Sequence, residues 1–175
     1  MKKIIIVVLI IIGIFAYNRK VDKVMIPDEA IRFRVIANSD SKIDQNNKII
    51  VRNNLEKEIV KDLSVSNDIN EARTILKTNM NNYEKTVKKT LKDNNIDTDF
   101  TINYGYNYFP EKEYKGVKYN SGKYESVVVT LGNGLGKNWW CVLFPPLCLL
   151  EAEEENTEEV EYKFFVKELI DKYFK

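Results

Sequence analysis

The 175 residues, 44% hydrophobic and 30% charged, suit one globular domain and would crowd two. Histidine is absent, which excludes Ser-His-Asp and Cys-His catalysis and every histidine metal site. Net charge is +1, but without residues 1–20 the count is 23 basic against 26 acidic, and a balance of −3 speaks against a nucleic-acid surface.

In chain order, Lys2 and Lys3 precede an apolar run from Ile4 to Tyr17, and Asn18-Arg19-Lys20 follows it. The run's 14 residues fall short of the ~17–25 that a spanning helix needs. They match the hydrophobic part of a secretory signal behind a basic leader. Gly13 and Ala16 are small but are not spaced as a cleavage site. Residues 1–20 are therefore expected to be a signal sequence or a short membrane anchor, with the membrane held through residues 4–17 if the segment is not cleaved. Residues 21–30, punctuated by Pro27-Asp28-Glu29, read as a linker. Residues 31–175 read as a single domain.

Ile31, Phe33, Val35 and Ala37 alternate with Arg32, Arg34, Ile36 and Asn38, the period of a strand with one buried face. Asn38-Ser39-Asp40-Ser41 follows, four short polar side chains of the kind that bond nearby backbone amides. They read as a strand-to-helix cap, or as a recognition surface held by a rigid scaffold. From Lys42 to Leu63 the pattern is helical, with Val51, Leu55, Ile59 and Leu63 on one face. Asp68-Ile69-Asn70-Glu71 has capping-box spacing and opens a second helix over 69–93. Its stripe is Ile69, Ala72, Leu76, Met80, Tyr83, Val87 and Leu91, while Lys85, Lys88, Lys89 and Lys92 read as a solvated face.

Phe100, Ile102, Tyr104, Tyr106 and Tyr108 alternate with polar residues as a second, aromatic-faced strand. Pro110–Gly122 reads as a polar connection, and Val127, Val129 and Leu131 mark a third strand, antiparallel to the second. Gly132-Asn-Gly-Leu-Gly-Lys137 superficially resembles a phosphate loop but lacks its spacing and its following helix. Its glycines are better suited to positive φ and close backbone approach. Asn138–Cys148 then concentrates both tryptophans and both cysteines around Pro145-Pro146. The proline pair suggests an aromatic-flanked loop rather than a helix or central strand. Cys141 and Cys148 can close that loop as a disulfide or remain buried thiols. As a metal site they are weak, since two thiolates without histidine need carboxylates to complete a tetrahedron. Glu151–Glu161 holds seven glutamates, and Glu159–Phe174 reads as a final amphipathic helix.

The fold class expected is α+β: a short, mainly antiparallel sheet of about three strands, packed with two long helices and a C-terminal helix. Two functional readings arise from the residues alone. One is a hydrolase using Asp40 and Asp44 as an acid/base pair, although carboxylates are too plentiful here to discriminate. The other is an envelope protein anchored through residues 4–17 whose last helix docks on a neighbour.

The strings IRFRVIANSDSKIDQ (Ile31–Gln45) and GNGLGKNWWCVLFPPLC (Gly132–Cys148) resemble the stage II sporulation protein R family, and the fit extends from about Ile26 to Phe174. The resemblance implies a signalling protein of endospore formation, exported from the forespore to the space between the septal membranes. There it would act on a membrane-embedded, aspartic-type protease that processes the sigma-E precursor. It implies a ligand rather than an enzyme, with no cofactor, metal, nucleic acid or small-molecule substrate. Carried over with the motifs, as partner contacts or loop-holding residues, are Arg34, Asn38, Ser39, Asp40, Ser41, Asp44 and Gln45, with Asn138, Trp139, Trp140, Cys141 and Cys148.

Overall fold

In the computed structural model the described residues are 25–114, 117–148 and 159–174. The expected signal or anchor at 1–20 lies outside them. The elements in order are β1 (Ile31–Ile36), α1 (Lys42–Leu63), α2 (Ile69–Asp93), β2 (Phe100–Phe109), β3 (Lys112–Tyr114), β4 (Val117–Tyr119), β5 (Gly122–Leu131), β6 (Asn138–Phe144) and α3 (Glu159–Tyr173). Among the described residues, no helix is long and apolar enough to cross a membrane.

The α+β class holds, with α1 and α2 as the two long helices. The main sheet has four strands rather than three, in the order β2-β5-β1-β6. It is also mixed: β1 runs parallel to β5, with Phe33 opposite Val127, while β2 and β6 run antiparallel to their neighbours. The additional strand is β6, the segment expected to be a loop. Asn138–Phe144 is rich in strand-forming aromatic and aliphatic residues, and it pairs along β1 with Trp140 opposite Arg34. Pro145 and Pro146 follow its last residue, so the missing proline N–H groups are never asked to join the ladder. The Pro110–Gly122 connection also contains structure, since β3 and β4 form a separate two-stranded hairpin.

The second long helix, α2, begins and ends where its sequence tells it to. Asp68 caps α2 by accepting from the N–H groups of Asn70 at 2.7 Å and Glu71 at 3.0 Å, and Glu71 reaches back to the N–H of Asn67 at 2.8 Å. At the other end Asn95 takes a positive φ of 53°, and the N–H of Ile96 returns to the carbonyl of Leu91 at 2.9 Å, a Schellman stop.

The apolar stripes of the two helices meet one face of the sheet. Val51, Leu55 and Ile59 of α1 and Ala72, Leu76, Tyr83 and Val87 of α2 are buried against Ile31, Phe33, Val35, Val127, Val129 and Leu131. Tyr83 donates to Asp62 at 3.0 Å, tying α2 to α1. Arg73 of α2 and Tyr104 of β2 both bond the buried Glu125, so that charge is paired. The opposite face is partly covered by the β3–β4 hairpin, by Ile26 and Ala30 of the segment before β1, and by Val166 of α3.

Phe33 is fully buried at the centre of this arrangement. Phe33→Ala is expected to lower the unfolding free energy by ~3–5 kcal/mol, read as a reduced urea midpoint with an unchanged m-value.

Candidate functional site

β1 delivers the chain into Ala37–Ser41 at the head of α1. Ser41 is the N-cap: its hydroxyl oxygen accepts from the N–H of Asp44 at 3.1 Å. Its own N–H donates to the Ser39 hydroxyl at 3.1 Å. Ser39 in turn donates to Asp44 Oδ2 at 2.5 Å, and Asn38 Nδ2 donates to the same oxygen at 3.1 Å. These bonds, that of Ser39 foremost, hold the Asp44 carboxyl below its ordinary range. Gln45 Nε2 closes the turn on the Ser39 carbonyl at 2.9 Å.

The glycine-rich loop, Gly132–Lys137, lies directly on this turn. Asn133 N–H donates to Asn38 Oδ1 at 3.0 Å and Lys137 N–H to Asp40 Oδ1 at 2.7 Å. Between them, Leu135 N–H donates to the Asn38 carbonyl at 3.1 Å and Gly136 N–H to the Ala37 carbonyl at 2.9 Å. Gly134 N–H is taken by the Leu131 carbonyl at 3.1 Å. The five amides of residues 133–137 are thus committed inside the protein, which leaves no cradle for a phosphate and removes the nucleotide-loop reading. Two glycines are required by contact: a Cβ on Gly132 (φ +53°) would stand 2.3 Å from Asn38 Oδ1, and one on Gly136 would stand 2.2 Å from the Ser39 carbonyl oxygen. Lys48 completes the join, donating to Gln45 Oε1 at 2.6 Å and to the Lys137 carbonyl at 3.1 Å.

Asn38, Ser39, Asp40, Ser41, Asp44 and Gln45 therefore form one bonded hub. The tryptophans do not join it as a patch, because neighbours on a strand face opposite ways. Trp139 sits edge-on to Phe33 at 5.8 Å with the Arg52 guanidinium 4.6 Å from its ring. Trp140 lies on the other face, 5.2 Å from Phe109 and 5.6 Å from Tyr119, with Lys112 Nζ 5.1 Å away. On that face too are Asn138, whose buried Oδ1 has no hydrogen-bond partner, and Arg34, which donates to the Tyr108 carbonyl at 3.1 Å. Beside the hub's exposed polar residues, two large apolar side chains face solvent: Leu135 is 81% exposed and Ile43 is 73% exposed.

Cys141 and Cys148 are joined, with Cα atoms 5.4 Å apart. Glu56 lies beside them, the three donor atoms falling within 4.8 Å of one another. Bonded sulfurs are not thiolates, so this trio is not a tetrahedral donor set. The acid/base reading of Asp40 and Asp44 also meets an obstacle. A general acid needs a raised pKa, and that of Asp44 is lowered.

Two residues escaped the sequence reading. Lys48 continues the stripe of Val51 and Leu55 backwards by one turn, and a lysine on an apolar stripe was the available signal. Arg32 was assigned to the open face of β1 by alternation, yet it is fully buried. Its guanidinium lies 3.2 Å from the Tyr124 ring centroid, and none of its three nitrogens has a hydrogen-bond partner.

The family model of stage II sporulation protein R matches residues 27–154, a span containing both strings. Stage II sporulation protein R of Bacillus subtilis (strain 168) is 41% identical over 144 residues, which cover 80% of this chain and 63% of that relative. The chain thus spans about 63% of the length of the curated relative it matches. No solved structure matches.

Gly136→Ala is expected to push the loop off the Ser39 carbonyl and lower stability by ~1–3 kcal/mol in denaturant melts. Asp44 gives a pH signature. Its folded pKa lies below the ordinary aspartate value, so the unfolded chain binds the proton more readily. Its contribution is complete above ~pH 5 and is lost as pH falls through ~4 towards the folded pKa. In Asp44→Asn the Tm-against-pH curve should be flatter over that acid range.

Proposed function

The chain belongs to the stage II sporulation protein R family, and from that premise we propose that it is an intercompartmental signal of endospore formation. In this reading it is exported from the forespore and engages a membrane-embedded, aspartic-type protease from outside, so that the protease processes the sigma-E precursor. It acts by contact and performs no chemistry of its own. A ligand shifts a protease towards its active state only through differential affinity for that state. Its surface must therefore be rigid and specific.

The observation that carries the reading is the family match across 27–154, which includes the whole hub. The geometry of the hub supports a contact role, since its polar groups hold one another while Leu135 and Ile43 are turned outward. Apolar side chains on a hydrogen-bonded frame are suitable anchors for a protein partner. Asn38, Ser39, Asp44 and Gln45 are then the frame, and Leu135 and Ile43 the contact.

The test is co-expression of the chain with the protease and the sigma-factor precursor in a non-sporulating host, with and without residues 1–20, following precursor cleavage on a blot. Cleavage is expected only with the exporting form. Absence of cleavage, with all three proteins stable, would sink the signalling role, and an envelope protein would leave precursor processing unaffected. Within the assay Leu135→Asp is expected to reduce cleavage by ~tenfold or more at unchanged Tm, the scale of a lost interface anchor. Asn38→Ala should lower Tm and cleavage together.

A further inference from the structure

Arg32 and Arg34 project from the same face of β1, opposite the two long helices. Both guanidiniums flank the ring of Phe109, at 5.4 Å and 5.5 Å from its centroid. Arg32 is also stacked on Tyr124 and lies 5.9 Å from the Tyr119 ring. Neither arginine has a carboxylate at ion-pair distance among the described residues. Four of their nitrogens are buried without a hydrogen-bond partner: all three of Arg32, and Nε of Arg34.

A guanidinium keeps its charge at any working pH and carries five N–H donors. Cation–π contact offsets part of the charge but satisfies none of those donors along their own directions, which lie in the guanidinium plane. A buried charge left in this state is a cost to the folded protein. The contrast with Glu125 in the same sheet is direct, for that buried charge bonds both Arg73 and Tyr104.

We infer that Arg32 and Arg34 form a receiving site for a carboxylate side chain supplied by a protein partner, entered by displacing the β3–β4 hairpin. A planar carboxylate matches the in-plane fork of a guanidinium held flat on a ring, and the aromatic walls exclude water from the ion pair. The hairpin is suited to moving, because it shares no strand pairing with the four-stranded sheet. What holds it down is side-chain packing, with Val117 and Tyr119 buried and Tyr119 and Lys112 set against Trp140, beside a bridge from Met25 to Lys118. The identity of the partner rests on the signalling role above. The carboxylate chemistry does not.

The test is Arg32→Met in the full chain. Methionine fills much of the same volume without stranding a charge, so Tm is expected to be unchanged or higher. Precursor cleavage in the co-expression assay is expected to fall by ~tenfold or more, the loss that accompanies a missing charge-assisted bond. Independently, sodium acetate should raise the Tm of the unsubstituted protein above its value in sodium chloride at equal pH and ionic strength, and should not do so for Arg32→Met. A variant that signals normally, or that melts below the unsubstituted protein, overturns the site. So does an acetate effect that is absent or equal in both proteins. If the unsubstituted chain triggers no cleavage at all, the signalling role fails and the acetate comparison alone decides. A last arm replaces Asp28, whose charge acts on Arg32, with asparagine, and Glu151, Glu153, Glu154, Glu155 and Glu158 with glutamine. Retained cleavage places the carboxylate on the partner, whereas loss matching that of Arg32→Met overturns the partner as its source.

Discussion

The hydrogen bonds between the turn after β1 and the glycine-rich loop are the constraint on which the rest depends. They join residues 95 and 97 positions apart, Asn38 to Asn133 and Asp40 to Lys137. Each bond is worth only ~1 kcal/mol net, but together they determine geometry that no single element could. The loop they hold leads directly into β6, and its placement sets β6 against β1 in the observed register. That register decides which tryptophan faces the helices and which faces the hairpin. The same turn starts α1, so the direction of the helix and the position of the edge strand share one origin.

β1 has two faces with opposite energetics. Towards the helices it presents Ile31, Phe33 and Val35, all fully buried in a continuous apolar cluster. There the hydrophobic effect supplies most of the stabilisation, at ~25 cal/mol per Å² of apolar surface removed from water. On the reverse, Arg32 and Arg34 lie among aromatic rings, and burial lowers the pKa of both. The rings partly screen the charge, and among the described residues no carboxylate lies at ion-pair distance. One strand thus carries both the firmest part of the fold and its least satisfied group. Such a combination is more readily understood as an adaptation for recognition than for stability.

The long elements were legible in the sequence because their cause is local. The stripes of α1 and α2, the Asp68 cap and the alternation of β1 and β2 each follow from spacing along one stretch of chain. The pairing of β1 with β5 was not, because parallel partners are brought together by everything between them. β6 was misread for a specific reason: the proline argument is correct at Pro145 and Pro146 but was extended over the seven residues before them. In the site, the residue types of the hub were readable and their partners were not. Asn38 and Asp40 accept from backbone N–H groups of a distant loop, and backbone groups leave no mark in a sequence. Arg32 was hidden by a sound rule applied to half the information, since alternation says which residues share a face but not what later covers it.

The order of the strands has one more consequence, in time rather than in space. The central strand is nearly the first part of the described chain, and both of its neighbours come from near the end: Arg34 lies between Val128 and Trp140. Such pairing gives a large mean sequence separation between contacts, and loop closure must precede any reward from them. A chain emerging N-terminus first holds β1 without partners until residues 126–144 have followed. Through most of its emergence it lacks the sheet on which the helices pack. Until then it is a polymer that can still be threaded.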